Sequence, residues 1–191
     1  VLLFLLLPIF VIVPLSFSSG SFLSYPLPGW SLQWYQELIH SPEWARAARN
    51  SFIVAPLATL LATTLGTLAA VGLARTNFVG KGVLTSLLIS PMVVPIVVVG
   101  VATYLVFARL GLAETYTGLI LVHAALGAPF VVTTVLATLQ GFNHNLVKAS
   151  LSLGAGPVQT FFKITLPVIA PGVISGALFA FAASFDEVVV T

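Results

Sequence analysis

Charge is what the chain has least of. Seven basic and five acidic residues make up 6% of its 191 positions, where a soluble domain carries about 25%. So few charges cannot coat a water-soluble globule. Cysteine is absent altogether, which excludes a disulfide framework and a thiolate metal site. The net charge is only +2, too small for a nucleic-acid footprint. Disorder is excluded too, since disordered chains combine low hydrophobicity with high charge. No G-x-x-x-x-G-K-[ST] occurs, so there is no P-loop to cradle ATP phosphates. His40, His123 and His144 are far apart, and no Ser/His/Asp or metal-ligand cluster accompanies them. That leaves no catalytic constellation, and the chain is not expected to be an enzyme. His123 lies in an apolar run and is expected to be a hydrogen-bonded interior residue. His144 is expected in solvent.

What the chain has in abundance is apolar surface. Apolar residues, Tyr included, make up 59% of it, and its mean hydropathy is +1.12. Twelve Pro and fifteen Gly are compatible with membrane helices, where both are commoner than in soluble ones. A membrane helix takes about 20 mostly apolar residues. The expected architecture is all-α and polytopic, one domain over 1–191 with five spans at about 1–15, 52–74, 82–108, 118–139 and 168–190. The first run begins abruptly, with no basic n-region and no small-residue cleavage site. It reads as the end of a longer span rather than a signal peptide. Val188 to Val190 is still apolar, so a sixth span is expected to follow. Pro91 and Pro95 predict a kink or break in the third span, because each removes a backbone donor.

The segment from Gly20 to Asn50 holds all three Trp (Trp30, Trp34, Trp44) beside Tyr25 and Tyr35. Aromatics at this density next to spans read as an interfacial belt; a substrate-contacting role is the other reading. Ser31 can cap a short helix carrying Leu32, Tyr35, Leu38 and Ile39. Ser41-Pro42-Glu43 reads as another helix start: cap, Pro at the first position, acid in the first turn. Arg75, Lys81, Lys148 and Lys163 fall on one side of the membrane, without acids. Arg46, Arg49 and Arg109 fall on the other, with Glu37, Glu43 and Glu114. By the positive-inside rule the loops after spans two and four are cytoplasmic.

The fourth connection, 140–167, reads QGFNHNLVKASLSLGAGPVQTFFKITLP. Leu146 to Leu153 can form a short helix capped by Asn145 and ended by Gly154. Gly154-Ala155-Gly156 permits a sharp turn. Pro157 fits the first turn of a second helix, Val158 to Leu166. Pro167 and Pro171 then allow entry into the membrane at a new angle. The whole reads as a helix-turn-helix elbow suited to docking a partner and transmitting its motion.

Gly154, nine residues, Ile164, one residue, then Leu166-Pro167: this spacing resembles the EAA loop of ABC importer permeases. That loop reads Glu-Ala-Ala, three residues, Gly, nine residues, Ile-x-Leu-Pro. The chain keeps Ala149, Gly154, Ile164, Leu166 and Pro167. It has Lys148 in place of the Glu and Ser150 in place of the second Ala. Leu32-Gln33-Trp34-Tyr35-Gln36-Glu37-Leu38 and Ser184-Phe185-Asp186-Glu187-Val188-Val189-Val190 are similar to the spermidine/putrescine branch of the type I permeases. The resemblance implies a six-span permease in the bacterial inner membrane, moving polyamines or related small amines. Related permeases for opines, amino-acid-like solutes or phosphonates are the alternative. It also implies a second permease subunit, two ATPase subunits that bind ATP and Mg, a periplasmic substrate-binding protein, and no cofactor in this chain. The ATPase-coupling residues it implies are Lys148, Ala149, Ser150, Gly154, Ala155, Gly156, Ile164, Leu166 and Pro167. A secondary transporter or channel acting alone lacks the elbow and its spacing.

Gly172, Gly176, Ala180 and Ser184 recur every four residues, the small-xxx-small pattern of closely packed membrane helices. Were the helix to continue, Glu187 would share that face, with Asp186 about 100° away on the wheel. An acid at bilayer depth costs about 2.5–3.5 kcal/mol on the insertion scale, so its presence needs a reason. One reading makes Asp186 and Glu187 an anionic lining for a cationic substrate. The other makes them a structural pair with Arg109, a backbone group or a partner subunit.

Overall fold

The computed structural model describes residues 2–22 and 24–190, so the expected first span over 1–15 begins outside the described residues. Regular structure among them is helical, apart from one isolated antiparallel bridge between Ser18 and Trp30. The chain divides into two compact units, Val1–Asn50 and Ser51–Thr191.

In the first unit, α1 (Leu2–Leu15) is apolar throughout. Its 14 residues reach about 21 Å, short of a hydrocarbon core about 30 Å thick. α2 (Gln33–His40) has Leu32, not the expected Ser31, at its cap position, although Ser31 Oγ accepts from the Gln33 N–H at 3.1 Å. The aromatic residues are tied at their polar tips. Trp34 Nε1 donates to the Ser18 carbonyl at 2.9 Å, and the Tyr35 hydroxyl lies 2.7 Å from Ser16 Oγ. Their rings stay exposed, as do Trp30 and Trp44, the arrangement of side chains with one apolar and one wet end.

α3 starts where Ser41-Pro42-Glu43 predicts, with Ser41 Oγ accepting from the Glu43 N–H at 3.2 Å. It then runs unbroken from Pro42 to Arg75, 34 residues. The helix start at 42 and the span expected from 52 are one helix. Ala45, Arg46, Ala47, Ala48 and Arg49 bridge them, all strong helix formers.

The second unit is built on α6 (Tyr116–Gln140) and α9 (Leu166–Phe185), with α3 against them. The buried face of α9 is Ile169, Gly172, Gly176, Ala180 and Ser184, which includes the whole expected small-residue stripe. A Cβ on Gly176 would stand 2.7 Å from Val131 Cα, and one on Gly172 would collide with Thr138. On α3, a Cβ on Gly66 would lie 2.8 Å from Val131 Cβ. Missing side chains let the helix backbones approach, and close van der Waals contact replaces the hydrophobic drive that lipid cannot supply. The large apolar side chains, such as Leu105, Ile174, Leu178 and Phe179, point outward and stay exposed.

The run expected to be the third span is two helices. α4 (Lys81–Ile89) and α5 (Ile96–Leu110) are separated by a tight turn, Ser90–Met92, and their axes differ by 100°. Pro91 sits in that turn and Pro95 caps α5. Among the described residues, three helical runs are long and apolar enough to cross a membrane: Pro42–Arg75, Tyr116–Gln140 and Pro157–Phe185. The bent pair makes a fourth if it is one span. The fold is all-α, polytopic and membrane-spanning.

Two expected boundaries differ. α9 ends at Phe185, not near 190, so Glu187 lies beyond the helix and the wheel that put it on the small-residue face does not apply. The second arm of the elbow does not re-enter at a new angle at Pro167. Helix runs continuously from Pro157 to Phe185, through a wide turn at Phe161–Thr165. Proline is accommodated at the start of α9, where the wide turn already shifts the hydrogen-bond pattern.

Candidate functional site

The elbow is built from α7 (Asn145–Ser152), a glycine turn, α8 (Pro157–Thr160) and the wide turn that leads into α9. Asn145 is inside α7 rather than its cap. His144 holds the cap position without a side-chain bond, and Asn143 Oδ1, one residue earlier, accepts from the Asn145 N–H at 3.0 Å. At the other end Gly154 adopts φ +84°. The Gly154 N–H donates to the Leu151 carbonyl at 3.0 Å, and the Ala155 N–H to the Ser150 carbonyl at 3.1 Å. This pair of bonds is a Schellman motif, which requires a left-handed residue after the helix. Glycine at 154 is therefore a backbone requirement, while Gly156 sits in extended geometry at φ −72°.

Two hydrogen bonds make the elbow one body. Ser150 Oγ lies 3.0 Å from Thr160 Oγ1, joining its two arms. Arg75 donates to Thr165 Oγ1 at 3.1 Å, tying the end of α3 to the wide turn. Thr160 and Thr165 are both buried. Sequence reasoning passed over both; two hydroxyls five residues apart, among Val158, Phe161, Phe162 and Ile164, were the available signal. Of the residues expected to couple to an ATPase, Lys148, Ala149, Gly154, Gly156 and Pro167 are exposed. Ser150, Ala155, Ile164 and Leu166 are half-buried. Leu153 and Val158, 88% and 70% exposed, flank the glycine turn. The elbow thus presents an apolar, weakly basic tip on a hydrogen-bonded frame.

At the opposite end of α6 lies a second polar group. His123 is buried, and its Nδ1 is 2.8 Å from Ser184 Oγ on α9. This is the interior hydrogen-bonded histidine expected from sequence; its Ser184 partner was not foreseen. His144 is exposed, edge-on to Phe142 with ring centroids 5.3 Å apart. Phe185, the last residue of α9, meets Phe52 of α3 edge-on at 5.6 Å. Just beyond, Glu187 is half-buried and turns back on its own chain. Its Oε1 accepts from the Val189 and Val190 N–H groups at 2.7 and 3.3 Å. Asp186 is exposed. No group of three or more metal-ligating side chains occurs among the described residues.

Residues 62–191, covering α6, α9 and the whole elbow, match the family described as binding-protein-dependent transport system inner membrane component. The chain belongs to that family. Members of this inner-membrane family are transport components rather than enzymes, which agrees with the lack of a catalytic constellation. Among curated relatives of this inner membrane component is the spermidine/putrescine transport system permease protein PotC of Haemophilus influenzae. It is 34% identical over 98% of this chain and 73% of its own length. The putrescine transport system permease protein PotI of Escherichia coli K12 is 34% identical over 98% of the chain and 69% of its own. The molybdate/tungstate transport system permease protein WtpB of Pyrococcus abyssi is 31% identical over 78% of the chain and 60% of its own.

Proposed function

We propose that this chain is a membrane-spanning subunit of an ATP-driven ABC importer that forms the path for polyamines or related small amines. The observation that carries the reading is 34% identity across 98% of the chain to a spermidine/putrescine permease. In this reading residues 1–191 are one permease domain, contributing five spans of a six-span fold. A second permease completes the path, a periplasmic binding protein delivers substrate, and two ATPase subunits dock on the elbows. The absence of a P-loop in this chain assigns ATP and Mg to those partners.

Coupling follows from the elbow's construction. A partner pressing on the exposed tip at Lys148, Ala149 and the glycine turn acts on a unit tied to α3 through Arg75 and continuous with α9. Ile164, Leu166 and Pro167 lie within that continuous run, where the wide turn passes into α9, so tip movement passes into α9 and along its close seam with α6. Lys148 brings a positive charge where the family loop has Glu, and an acidic groove on the ATPase is its fitting complement.

Asp186 and Glu187 stand at the far end of α9, and fixed negative charge there favours a cationic solute over the oxyanions named for the more distant relative. The test is uptake by the full importer in proteoliposomes with ATP inside. Accumulation of radiolabelled putrescine or spermidine, but not molybdate, is the expected result. Uptake of molybdate, a phosphonate or an opine with no amine uptake would overturn the substrate. Amine uptake without any ATPase would overturn the importer.

A further inference from the structure

A cavity of about 310 Å³ lies where α5 ends and α6 begins, at the opposite end of α6 from the elbow. Tyr104 and Phe107 on α5 line it, as do Thr103 of the same helix and Glu114 of the connecting loop. Val189 and Val190, the residues whose N–H groups the Glu187 carboxylate holds, close another side. An aromatic pair, one carboxylate and the hydroxyls of Thr103 and Tyr104 in a space of this size match the lower range of small-molecule sites.

Glu114 is held there against its own backbone preference. Its φ is +58°, and it alone among the described non-glycine residues has positive φ. A side chain in that region is strained, and such strain persists only where surrounding structure enforces it. The loop supplies the enforcement. The Leu112 and Ala113 N–H groups both donate to the Phe107 carbonyl, at 2.9 and 3.3 Å. Thr115 Oγ1 donates to the Leu112 carbonyl at 2.7 Å and accepts from the Gly118 N–H at 3.0 Å, capping α6. A Cβ at Gly118 would collide with the Leu112 carbonyl, so glycine there lets the loop seat against α6. A glycine at 114 would form the same turn without strain, yet the chain carries a carboxylate at the cavity wall.

The geometry points to this cavity as a binding site for a primary ammonium group, with Glu114 as counter-ion and the Tyr104 and Phe107 rings as its aromatic wall. A ring face attracts an ammonium through its quadrupole, and the exposed Glu114 carboxylate adds opposite charge at the cavity's rim. Glu187 serves the same site from behind, by ordering the strand of chain that forms the wall. This inference rests on the proposed amine-importer reading and adds the residues that would receive one end of the amine on the side opposite the elbow.

The experiment is direct binding of 1,4-diaminobutane and of methylammonium to the permease–ATPase complex in lipid nanodiscs, without the binding protein. Glu114→Gln is expected to weaken binding of both about tenfold, with Glu43→Gln as an unchanged control. Glu114→Gly should weaken binding equally while raising the unfolding temperature, since it removes charge and strain together. A purely structural Glu114 would not move these two readouts in opposite directions. Equal binding by wild type and Glu114→Gln overturns the site, as does failure of wild type to bind either amine. Uptake separates this from the functional reading. Amines that bind through Glu114 but are never transported sink the importer's substrate and leave the site standing. Amines that are transported with Glu114→Gln binding unchanged do the reverse.

Discussion

Arg75, the last residue of α3, reaches Thr165 in the wide turn ahead of α9, with its guanidinium 3.1 Å from the hydroxyl. Ninety residues apart in sequence, the two join the end of one span to the start of another at the elbow. Thr165 is buried and Arg75 is exposed, so removing either affects the pair unequally. Thr165→Val keeps the volume and leaves the guanidinium to water, at a cost of about 1 kcal/mol. For a chain of this length that is a fall of about 2–4 °C in unfolding temperature, measurable by thermal unfolding in detergent. The larger expected effect is on coupling, with ATP hydrolysis retained and uptake per ATP reduced. An unchanged ratio of uptake to hydrolysis would show that the tie is structural only.

The two glycines of the elbow turn separate conformational cost from space. A Cβ at either Gly154 or Gly156 meets nothing within 4 Å, yet only Gly154 has positive φ. Gly154→Ala should therefore lose about 1–2 kcal/mol. Gly156→Ala, in ordinary extended geometry, should be neutral or gain about 0.4–1 kcal/mol by restricting the unfolded chain. Gly154→Asn should fall between them, since Asn tolerates the left-handed region. Unfolding midpoints of the three variants check the order. Equal loss at 154 and 156 would mean that the partner's surface, not the turn, demands glycine.

The helix seam gives the opposite contrast, where space decides. Gly176→Ala would push a methyl group to within 2.7 Å of Val131 Cα, a backbone atom that cannot swing away. Overpacking of this kind costs about 1–3 kcal/mol, and α6 and α9 should separate. Gly72 on α3 has nothing within 4 Å of its Cβ position, so Gly72→Ala should be harmless or slightly stabilising. Comparing the two variants' unfolding temperatures tests whether the seam holds the unit together. A tolerated Gly176→Ala would show that it does not.

Local signals were the legible part of this molecule. Ser41 and Ser31 as helix-start acceptors, Gly154 as a left-handed stop and Pro91 with Pro95 as the break each depend on a few neighbouring atoms. The α9 stripe was legible because spacing every four residues survives any packing partner. Endings set by competition were not. Hydropathy continues past Phe185 into Val188, but the Glu187 carboxylate takes the Val189 and Val190 N–H groups that a continuing helix would use. The wide turn at Phe161–Thr165 was hidden too, because it is tied by Arg75 from ninety residues away. His123 was placed in the interior by its apolar surroundings, while its Ser184 partner lies on another helix.

Glu187 carries two roles that one substitution can separate. Its Oε1 shapes the chain at Val189 and Val190, and under the proposed function its charge would stand beside the path of a cationic solute. Glu187→Gln keeps a carbonyl oxygen in the accepting position and removes only the charge. Glu187→Ala removes both. If charge is what transport uses, Gln and Ala should both lower amine uptake, by about tenfold if the carboxylate contributes about 1.4 kcal/mol to the rate-limiting state. Assembly and basal hydrolysis should stay normal in the Gln variant. If the turn is what matters, Gln should behave as wild type and Ala alone should fail, with a lowered unfolding temperature to match. Asp186, exposed just past the helix end, serves as the comparison, and Asp186→Asn should change uptake less than Glu187→Gln. Normal uptake in Glu187→Gln would remove this carboxylate from the cation path and leave it as the residue that folds the chain back after α9.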